Sequence, residues 1–353
     1  MLPIIERTIP KEKGLMSFRR YHSLLLALMS LMLLSGAAAH ADTLDEVKRH
    51  GDIRCGVFPD DPGRSAIDQN GNWQGFYVDF CRATAAAVFG DPDRVQYVEV
   101  DATTRFTTLQ QRQTDVVMYS TTWTLERENR YQVAFPAIYL FDGQGIMVRG
   151  SSDIQQLADL KGKTVCVTEN TSTHQNLVDV LARHKIEARI QFSNGDSFFR
   201  GHCDAYSADR MNLATNRANR ADNPDEYRIL PDNLSREPIG PMVRNDDPRW
   251  ERVIRAVVHG LILADEKRIT QANVDSMREH SKDPEVLNLL GVSGDFGRQL
   301  GLSKDWAYQM LTRVGNYAEI YQRHYGPGTP INVEPGLNQP WSRGGLLFSP
   351  LFR

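Results

Sequence analysis

The sequence predicts an α/β protein with two similar units and a helical segment after them. In residues 44–118, short apolar runs alternate with segments of helical periodicity, in the order helix, strand, helix, strand, helix, strand. This order is typical of a largely parallel sheet. The alternation restarts after residue 146 and gives a second unit of the same kind, and from residue 248 the apolar spacing is helical.

The first unit contains one clearly marked helix. Phe76, Phe80 and Ala83 recur at the three- to four-residue spacing of a helix face. Gly90 and Pro92 end the segment, as helix-breaking residues do. In chain order, the unit is predicted as helix 44–49, strand 53–57, polar loop 59–71, helix 75–89, strand 95–100, helix 103–112 and strand 115–118.

The second unit and the segment after it follow the same reasoning. A loop at 170–173, whose hydroxyl side chains can cap a helix, precedes a predicted helix at 174–184. The tail after residue 326 is rich in proline and glycine and is expected to pack as an extended segment. The other predicted elements are strand 146–148, helix 154–160, strands 164–167 and 188–192, a short helix ending near 202, strand 203–206, and helices 249–264, 270–278, 284–290, 305–313 and 317–325.

Composition and charge exclude several classes of protein. Apolar residues make up 41% of the 353 residues and charged residues 24%, so the chain can bury a sizeable core and is not globally disordered. The formal net charge of −3 argues against a nucleic-acid-binding surface over the whole protein. No nucleotide-binding glycine motif, zinc-protease motif or esterase motif occurs, and we expect neither a cofactor nor a metal.

The first 41 residues are predicted to be a secretory signal peptide. Two arginines precede an apolar run at 24–34, and the small residues after it end in an A-x-A cleavage pattern at Ala41. The mature protein is then expected to begin at Asp42, after export. Two alternatives stay open, namely retention of the segment as an N-terminal anchor and translation from Met16.

The four cysteines lie after the predicted cleavage site, and an even number in an exported chain suggests two disulfides. Three pairings are possible. We favour Cys55 with Cys81 and Cys166 with Cys203, because each bridge then stays within one half of the chain. Buried free thiols are the alternative.

Three segments resemble those of a known family. Residues 71–82 read GNWQGFYVDFCR, residues 121–127 read TTWTLER and residues 139–145 read YLFDGQG. Their order and spacing are similar to those of the periplasmic solute-binding proteins of general L-amino-acid ABC importers, over essentially all of residues 42–353. The resemblance implies an α/β, two-lobe periplasmic-binding-protein-like fold with two hinge crossings and a helical C-terminal extension, which closes on an amino acid.

The resemblance also implies how the lobes divide and what the protein works with. Lobe 1 would comprise residues 42–145, lobe 2 residues 146–240, and residues 241–353 would return to lobe 1 and add the extension. The crossings are expected near 145–148 and 238–242. The expected partners are a small amino-acid-like ligand and an inner-membrane ABC permease, with no nucleic acid, and the protein is expected to be a periplasmic monomer.

The candidate ligand residues of lobe 1 are Arg127, Ser120 and Thr122. A free amino acid carries a carboxylate and an ammonium group, and a site that excludes water must pair both. The resemblance assigns the α-carboxylate to Arg127, whose guanidinium fits a carboxylate bidentately. It assigns hydroxyl and backbone contacts to the other two residues. The alternatives are a surface arginine and ordinary helix capping.

The candidate ligand residues of lobe 2 are Thr171, Ser172 and Asp209. The first two stand between a predicted strand and a predicted helix, where backbone N–H groups point at an anion. By resemblance, both contact the ligand, and Asp209 binds its α-ammonium group. Capping alone and a solvated loop aspartate are the alternatives.

The first loop departs from the family pattern. Family members tend to carry an apolar residue there to cover the ligand side chain, whereas here Phe58 is followed by Asp60, Asp61 and Arg64. We include Phe58 and Asp61 among the candidate ligand residues and expect a drifted specificity, toward a polar or cationic group that one of the acids would bind. The other departures are Tyr77, Tyr119 and Asn170, of which asparagine tolerates the left-handed backbone of the glycine that it replaces.

Two other functions are compatible with the sequence. A periplasmic dehydratase-like enzyme on the same fold would need a general acid in the cleft, for which Glu169 is the candidate. A ligand-sensing partner of a receptor would bind the solute without importing it. The main expectation is a binding protein without catalytic activity.

Overall fold

A computed structural model describes residues 42–352 of the chain. The predicted signal peptide and its cleavage site lie outside the described residues. The described part contains two main sheets of three and five strands, which helices cover, and a pair of antiparallel strands that connects them. A small three-stranded antiparallel sheet and a second antiparallel pair complete the strands of this part. The predicted α/β class is therefore confirmed. None of the helices in this part of the chain has the length and apolar character needed to cross a membrane.

Lobe 1 begins with a small parallel sheet. The elements up to the first crossing are α1 (Thr43–His50), β1 (Ile53–Val57), β2 (Asp60–Asp61), β3 (Ser65–Ile67), β4 (Trp73–Gln74), α2 (Phe76–Phe89), β5 (Val95–Glu99), α3 (Arg105–Gln110), β6 (Val116–Val117), α4 (Leu125–Tyr131), β7 (Val133–Ala134) and β8 (Leu140–Asp142). Strand β1 lies between β5 and β6 and is parallel to both, as expected when helices return the chain across a sheet. The predicted polar loop contains the antiparallel strands β2 to β4.

Lobe 2 contains a five-stranded sheet in the order β11-β10-β12-β9-β13. Its elements are β9 (Gln144–Arg149), β10 (Thr164–Val167), α5 (Ser172–His184), β11 (Arg189–Phe192), α6 (Gly195–Phe199), β12 (Ala205–Asp209), α7 (Arg210–Arg220), β13 (Tyr227–Ile229) and, leaving the lobe, β14 (Glu237–Ile239). Strands β10, β11 and β12 are parallel, so their carboxyl ends meet at one edge of the sheet. The candidate ligand residues of lobe 2 lie at or just after this edge, with Asp209 at the end of β12 and Thr171 and Ser172 at the start of α5.

Two antiparallel strands carry the chain between the lobes. Strand β8 pairs with β14, so that Asp142 lies opposite Glu237. The crossing expected near 145–148 stays a prediction; residues 145–148 themselves lie inside β9, which follows β8 directly and pairs with β12. Their apolar character reflects burial in the middle of a sheet. The division into lobes at residues 145 and 240 stays a prediction.

The chain then returns to lobe 1 and ends in helices and an extended tail. The elements are β15 (Val243–Arg244), α8 (Pro248–Glu266), α9 (Val274–His280), α10 (Pro284–Leu289), α11 (Phe296–Leu300), α12 (Trp306–Val314) and α13 (Tyr317–His324). The tail contacts the crossing strand, since the Asn338 amide accepts from the Phe141 N–H at 2.6 Å and donates to the Phe141 carbonyl at 3.0 Å. Tyr317 also donates to the Tyr139 carbonyl, at 2.8 Å.

Both favoured disulfides are present. Cys55 is bonded to Cys81, and Cys166 to Cys203, with Cα atoms 6.1 and 5.8 Å apart. The first bridge joins β1 to α2, and the second joins β10 to the segment before β12. Each bridge therefore links a strand of one sheet covalently to a neighbouring segment of the same lobe.

The remaining differences from the sequence prediction are local. The predicted helix at 154–160 is only a short 3-10 turn (Leu157–Leu160), and the strand predicted at 203–206 is Ala205–Asp209. Helices α7 and α11 were not expected. The residues of α7 are largely polar, with Arg, Asn and Thr between a few apolar positions, which hides the helical pattern.

Candidate functional site

Two adjoining cavities lie in the cleft between the lobes. The inner cavity has a volume of about 60 Å³ and the outer one about 480 Å³. Residues of both lobes line each of them, so ligand binding in either cavity would contact both halves of the protein. The residues that border both cavities are Ala102, Tyr119, Thr168, Tyr206 and Asn212.

Arg127 lines the inner cavity from lobe 1. It is in the first turn of α4, and the side chain of Thr124 caps that helix by accepting from the Arg127 N–H at 3.1 Å. Its Nη1 donates to the Thr122 carbonyl at 2.7 Å, which orients the guanidinium. Burial lowers the pKa of Arg127, and the nearby carboxylates of Glu237 and Asp209 oppose that shift. Binding an anion here would compensate a partly desolvated cation.

Arg105, which sequence reasoning missed, lines the same cavity. It is only 2% exposed, and its Nε and Nη2 atoms have no hydrogen-bond partner among residues 42–352. Its Nη1 donates to the Thr121 hydroxyl at 3.3 Å, and its guanidinium carbon lies 5.3 Å from the centre of the Tyr119 ring. Burial and the charge of Arg127 lower the pKa of Arg105 to about 10.

The unpartnered nitrogens of Arg105 can receive a carboxylate. A guanidinium whose Nε and one Nη are both free presents two donors in the geometry that binds a carboxylate bidentately. The sequence gives no signal for this, because an arginine at the start of a short helix is usually exposed to solvent.

Asp209 lines the inner cavity from lobe 2. It is the last residue of β12 and occupies the N-cap position of α7, but its side chain makes no capping hydrogen bond. The residue is 7% exposed, and its Oδ1 has no hydrogen-bond partner within the described residues. Burial, together with the carboxylates of Asp142 and Glu237, raises the pKa of Asp209 well above its usual value. A cationic ligand group beside it would offset that cost.

Three of the four predicted hydroxyl residues line the inner cavity, namely Ser120, Thr171 and Ser172. Thr171 also caps α5, where its Oγ1 accepts from the His174 N–H at 3.1 Å, so capping and cavity lining coexist at this residue. Thr122 is buried and does not line either cavity. Its hydroxyl donates to Glu237 and its carbonyl accepts from Arg127, so it positions the arginine.

Glu237, a second residue that sequence reasoning left without a role, links the two lobes. Its carboxylate is 2% exposed and accepts a hydrogen bond from Thr122 of lobe 1. From lobe 2, it accepts from Ser172 Oγ at 3.1 Å and from Asn176 Nδ2 at 2.7 Å. Ser235 donates to it as well. Charge-assisted hydrogen bonds from both sides stabilise the arrangement in which the lobes are in contact.

The outer cavity is lined by Phe58 and Asp61, as the sequence predicts, and also by Asp60, Arg64 and Arg220. Asp61 accepts from Arg64 Nε at 2.5 Å, and Asp60 accepts from Arg220 Nη2 at 3.1 Å. Since both acids already have guanidinium partners, the structure argues against the predicted binding of a cationic ligand group by either of them. The second pair also joins β2 of lobe 1 to α7 of lobe 2.

The other residues that depart from the family pattern, Tyr77, Tyr119 and Asn170, differ in where the structure places them. Asn170 has a φ of 60°, so it adopts the left-handed conformation that the sequence predicts for it. Tyr119 borders both cavities, whereas Tyr77 is 1% exposed within the core of lobe 1. Glu169 lines the outer cavity and is exposed.

The inner cavity brings together charges of opposite sign from the two lobes. Arg105 and Arg127 come from lobe 1, and Asp209 comes from lobe 2. Burying charges without partners is costly, so this arrangement suits a small ligand that carries both a carboxylate and an ammonium group. Within residues 42–352, no group of three or more His, Cys, Asp or Glu side chains is placed to hold a metal ion.

Comparison with known proteins gives close matches along most of the chain. Residues 53–289 match the bacterial extracellular solute-binding proteins, family 3. The general L-amino acid-binding periplasmic protein AapJ of Rhizobium johnstonii is 39% identical over 331 residues, which cover 92% of this chain and 96% of that protein. The glutamate/glutamine/aspartate/asparagine-binding protein BztA of Rhodobacter capsulatus is 38% identical, with coverage of 92% and 97%.

A solved structure is similar over nearly the same length. It is an ABC transporter periplasmic binding protein from Brucella ovis with glutathione bound, and it is 39% identical to this chain. The superposition has a TM-score of 0.86 and covers 89% of this chain and 100% of the other. The two-lobe fold expected from the sequence is thereby confirmed, and the chain belongs to the bacterial extracellular solute-binding proteins of family 3.

Proposed function

We propose that the protein binds an amino-acid-like solute in the cleft and delivers it to the inner-membrane permease of an ABC importer. The observation that carries this proposal is the inner cavity, where two guanidinium groups of one lobe and a carboxylate of the other have polar atoms available to a ligand. The names of the amino-acid-binding relatives support the same class of solute. The glutathione in the similar structure is consistent with an amino-acid-like ligand.

In this proposal the α-carboxylate of the ligand lies between Arg127 and Arg105, and its α-ammonium group lies against Asp209. Ser120, Thr171 and the other cavity-lining hydroxyls complete the hydrogen bonds. Because the ligand contacts both lobes, it favours the state in which they are in contact over a more open state. A permease that recognises this state would then receive only loaded protein.

The proposal also places the protein in the periplasm and assigns it no catalytic activity. The names of AapJ and of the Brucella ovis protein say that they are periplasmic, and the predicted signal peptide at 1–41 would deliver the mature chain to that compartment as a monomer. The enzyme alternative has no support, because its candidate acid, Glu169, is exposed to solvent.

A thermal-shift panel on the protein from Asp42 onward tests the proposal, because a ligand that binds the native state raises its melting temperature. The panel contains small organic acids, amines and free L-amino acids, including glutamate, and for each amino acid its α-amide and its N-acetyl derivative. These derivatives keep the side chain but remove the carboxylate charge or the ammonium charge. Isothermal titration calorimetry then measures the affinity of each ligand that shifts the melting temperature.

We expect at least one free amino acid, or a compound with a free amino-acid head group, to bind, and its two derivatives to bind at least tenfold more weakly. Equal binding of a ligand and its derivatives would contradict head-group recognition in the inner cavity. Stabilisation by organic acids or amines alone would contradict the amino-acid class.

A further inference from the structure

The two cavities differ in size in a way that bears on the class of ligand. The inner cavity, at about 60 Å³, has space for roughly four to six water-sized groups, about the size of an amino-acid head group. The outer cavity, at about 480 Å³, lies in the range of ~300–1,000 Å³ typical of pockets that enclose much larger molecules. A free amino acid that places its head in the inner cavity would leave most of the outer one to water.

The wall of the outer cavity is polar and carries both hydrogen-bond donors and hydrogen-bond acceptors. Asn194, Ser193 and Asn216 of lobe 2 contribute amide and hydroxyl groups. The two acids of the lobe 1 loop are paired with Arg64 and Arg220, so they form neutral ion pairs that can still donate and accept hydrogen bonds. Such a wall suits a polar group with both donors and acceptors, such as an amide, better than a hydrocarbon chain or a single charge.

The inner cavity restricts how such a group can be attached. Arg127 and Asp209 line this cavity, and in the proposed function they bind a free α-carboxylate and a free α-ammonium group on the same carbon. A peptide joined through the α-carboxyl or the α-amino group of this residue lacks one of these charges. The substituent must therefore leave through the side chain, past Tyr119 and Tyr206, which border both cavities.

We propose that the preferred ligands are amino acids whose side chain carries an amide-linked polar extension, with the head in the inner cavity and the extension in the outer one. This inference rests on the proposed function and makes it more specific. It assigns the outer cavity, bordered by β2, residues 101–103, residues 192–195 and α7, as the site that distinguishes extended ligands from free amino acids.

Two isomers test the linkage directly. γ-L-Glutamyl-L-alanine and α-L-glutamyl-L-alanine contain the same atoms, but only the γ isomer keeps the free α-carboxylate on the glutamyl residue. In calorimetric titrations of the full mature protein, we expect the γ isomer to bind at least tenfold more tightly than L-glutamate. The α isomer is expected to bind at least a hundredfold more weakly than the γ isomer.

Filling the outer cavity tests the location. Ser193→Trp places an indole in the outer cavity from lobe 2, and Thr103→Trp does so from lobe 1. If one variant does not fold, the other still tests the location. Each variant should lose at least tenfold in affinity for the γ isomer and change less than threefold for L-glutamate. Ser151→Trp, at an exposed serine that lines neither cavity, is the matched control and should leave both affinities unchanged.

The outcomes separate the two proposals. If free amino acids bind and the γ isomer binds no more tightly than glutamate, the extended-ligand inference is overturned and the proposed function stands. Equal loss of both ligands in both tryptophan variants also overturns it, because the outer cavity then does not select the extension. If no compound with a free amino-acid head binds, both proposals fail.

Discussion

The hydroxyl oxygens of Thr122 and Ser172 lie 3.1 Å apart across the cleft, one from each lobe, and both side chains donate to the carboxylate of Glu237. Thr122 also accepts a hydrogen bond from Arg127 through its carbonyl, and Ser172 lines the inner cavity. The contact between the lobes and the proposed ligand contacts therefore share the same residues. Separation of the lobes would break both sets together.

Removing one hydrogen bond of this network should favour the open state of the protein without removing a ligand contact. Asn176 donates to Glu237 at 2.7 Å but lines neither cavity of the cleft, so Asn176→Ala should weaken ligand binding about three- to tenfold by favouring the open state. Glu237→Gln should act in the same direction and more strongly, because the charge-assisted bonds are lost. Small-angle X-ray scattering should show a larger radius of gyration for both ligand-free variants.

The matched control for this experiment is Gln175→Ala. Gln175 is the neighbour of Asn176 on α5 and bonds only within that helix, to Asp179 at 2.9 Å. It should change neither the scattering nor the affinity. An unchanged radius of gyration in Glu237→Gln would show that this carboxylate does not hold the lobes together.

The two arginines of the inner cavity should contribute separately to carboxylate binding. Arg127→Gln should weaken amino-acid binding at least tenfold, equivalent to about 1.4 kcal/mol or more, and Arg105→Gln should do the same. Neither change should affect the already weak binding of the α-amide of the same amino acid, since that ligand has no carboxylate. Isothermal titration calorimetry measures all four affinities.

Arg244→Gln is the control for a purely structural effect. Arg244 is also buried, at 6% exposure, and donates to the Thr114 carbonyl at 3.0 Å and to Thr43 Oγ1 at 2.8 Å, away from both cavities. It should lower the melting temperature and leave the affinity unchanged. Should Arg105→Gln behave in the same way, Arg105 would have to be reassigned to the core of lobe 1.

Stability should fall in mild acid because of His259. Burial, with a smaller effect from Arg255, lowers the pKa of His259 from 6.5 to about 4. Between these two values the unfolded chain binds more protons than the folded one, so the free energy of unfolding decreases as the pH falls from 6.5 to 4. The loss is at most about 3 kcal/mol.

Denaturant unfolding at pH 7.5, 5.5 and 4.5 measures this effect. His259→Gln cannot gain the proton, so its free energy of unfolding should depend less on pH than that of the wild type. Its value at pH 7.5 provides the baseline for the loss of packing. Parallel pH profiles for the two proteins would mean that His259 does not contribute to the pH dependence.

Each disulfide should stabilise its own lobe. The Cys166–Cys203 bridge encloses a sequence separation of 37 residues, and the Cys55–Cys81 bridge one of 26, so loss of either should cost about 3–4 kcal/mol in the chain-entropy model. Paired Cys→Ala variants, followed by calorimetric unfolding, measure this cost. Non-reducing peptide mapping should find the same two pairs in the oxidised protein, and any cross-lobe pair would contradict the fold.

The sequence predicts well those features that depend on local pattern. Phe76 and the apolar residues after it mark α2, and the four cysteines have one pairing that stays within each half of the chain. Arg127 and Asp209, more than 80 positions apart, were placed in one site only through resemblance to a family. That they line the same cavity depends on how the two lobes pack.

The rest of the site depends on tertiary burial, which local pattern does not reveal. Arg105 resembles any arginine at the start of a helix, and only the packing of Phe106 and Tyr119 around it makes its free nitrogens significant. The role of Glu237 is not visible in the sequence, because all of its donors except Ser235 come from segments 61 to 115 positions away. Conversely, the sequence suggests that Asp60 and Asp61 of the first loop are available to a ligand, whereas in the structure each is paired with an arginine.

The hydrogen bonds between Asn338 and Phe141 attach the C-terminal tail to a strand that crosses between the lobes. The Asn338 side chain satisfies both backbone groups of a residue in the crossing strand, as a neighbouring strand would do. An affinity tag or a fluorescent reporter fused after residue 353 would therefore follow a segment that is bonded to this crossing strand. A reporter at an exposed position of lobe 2, such as Ser151, would avoid this contact with the crossing strand.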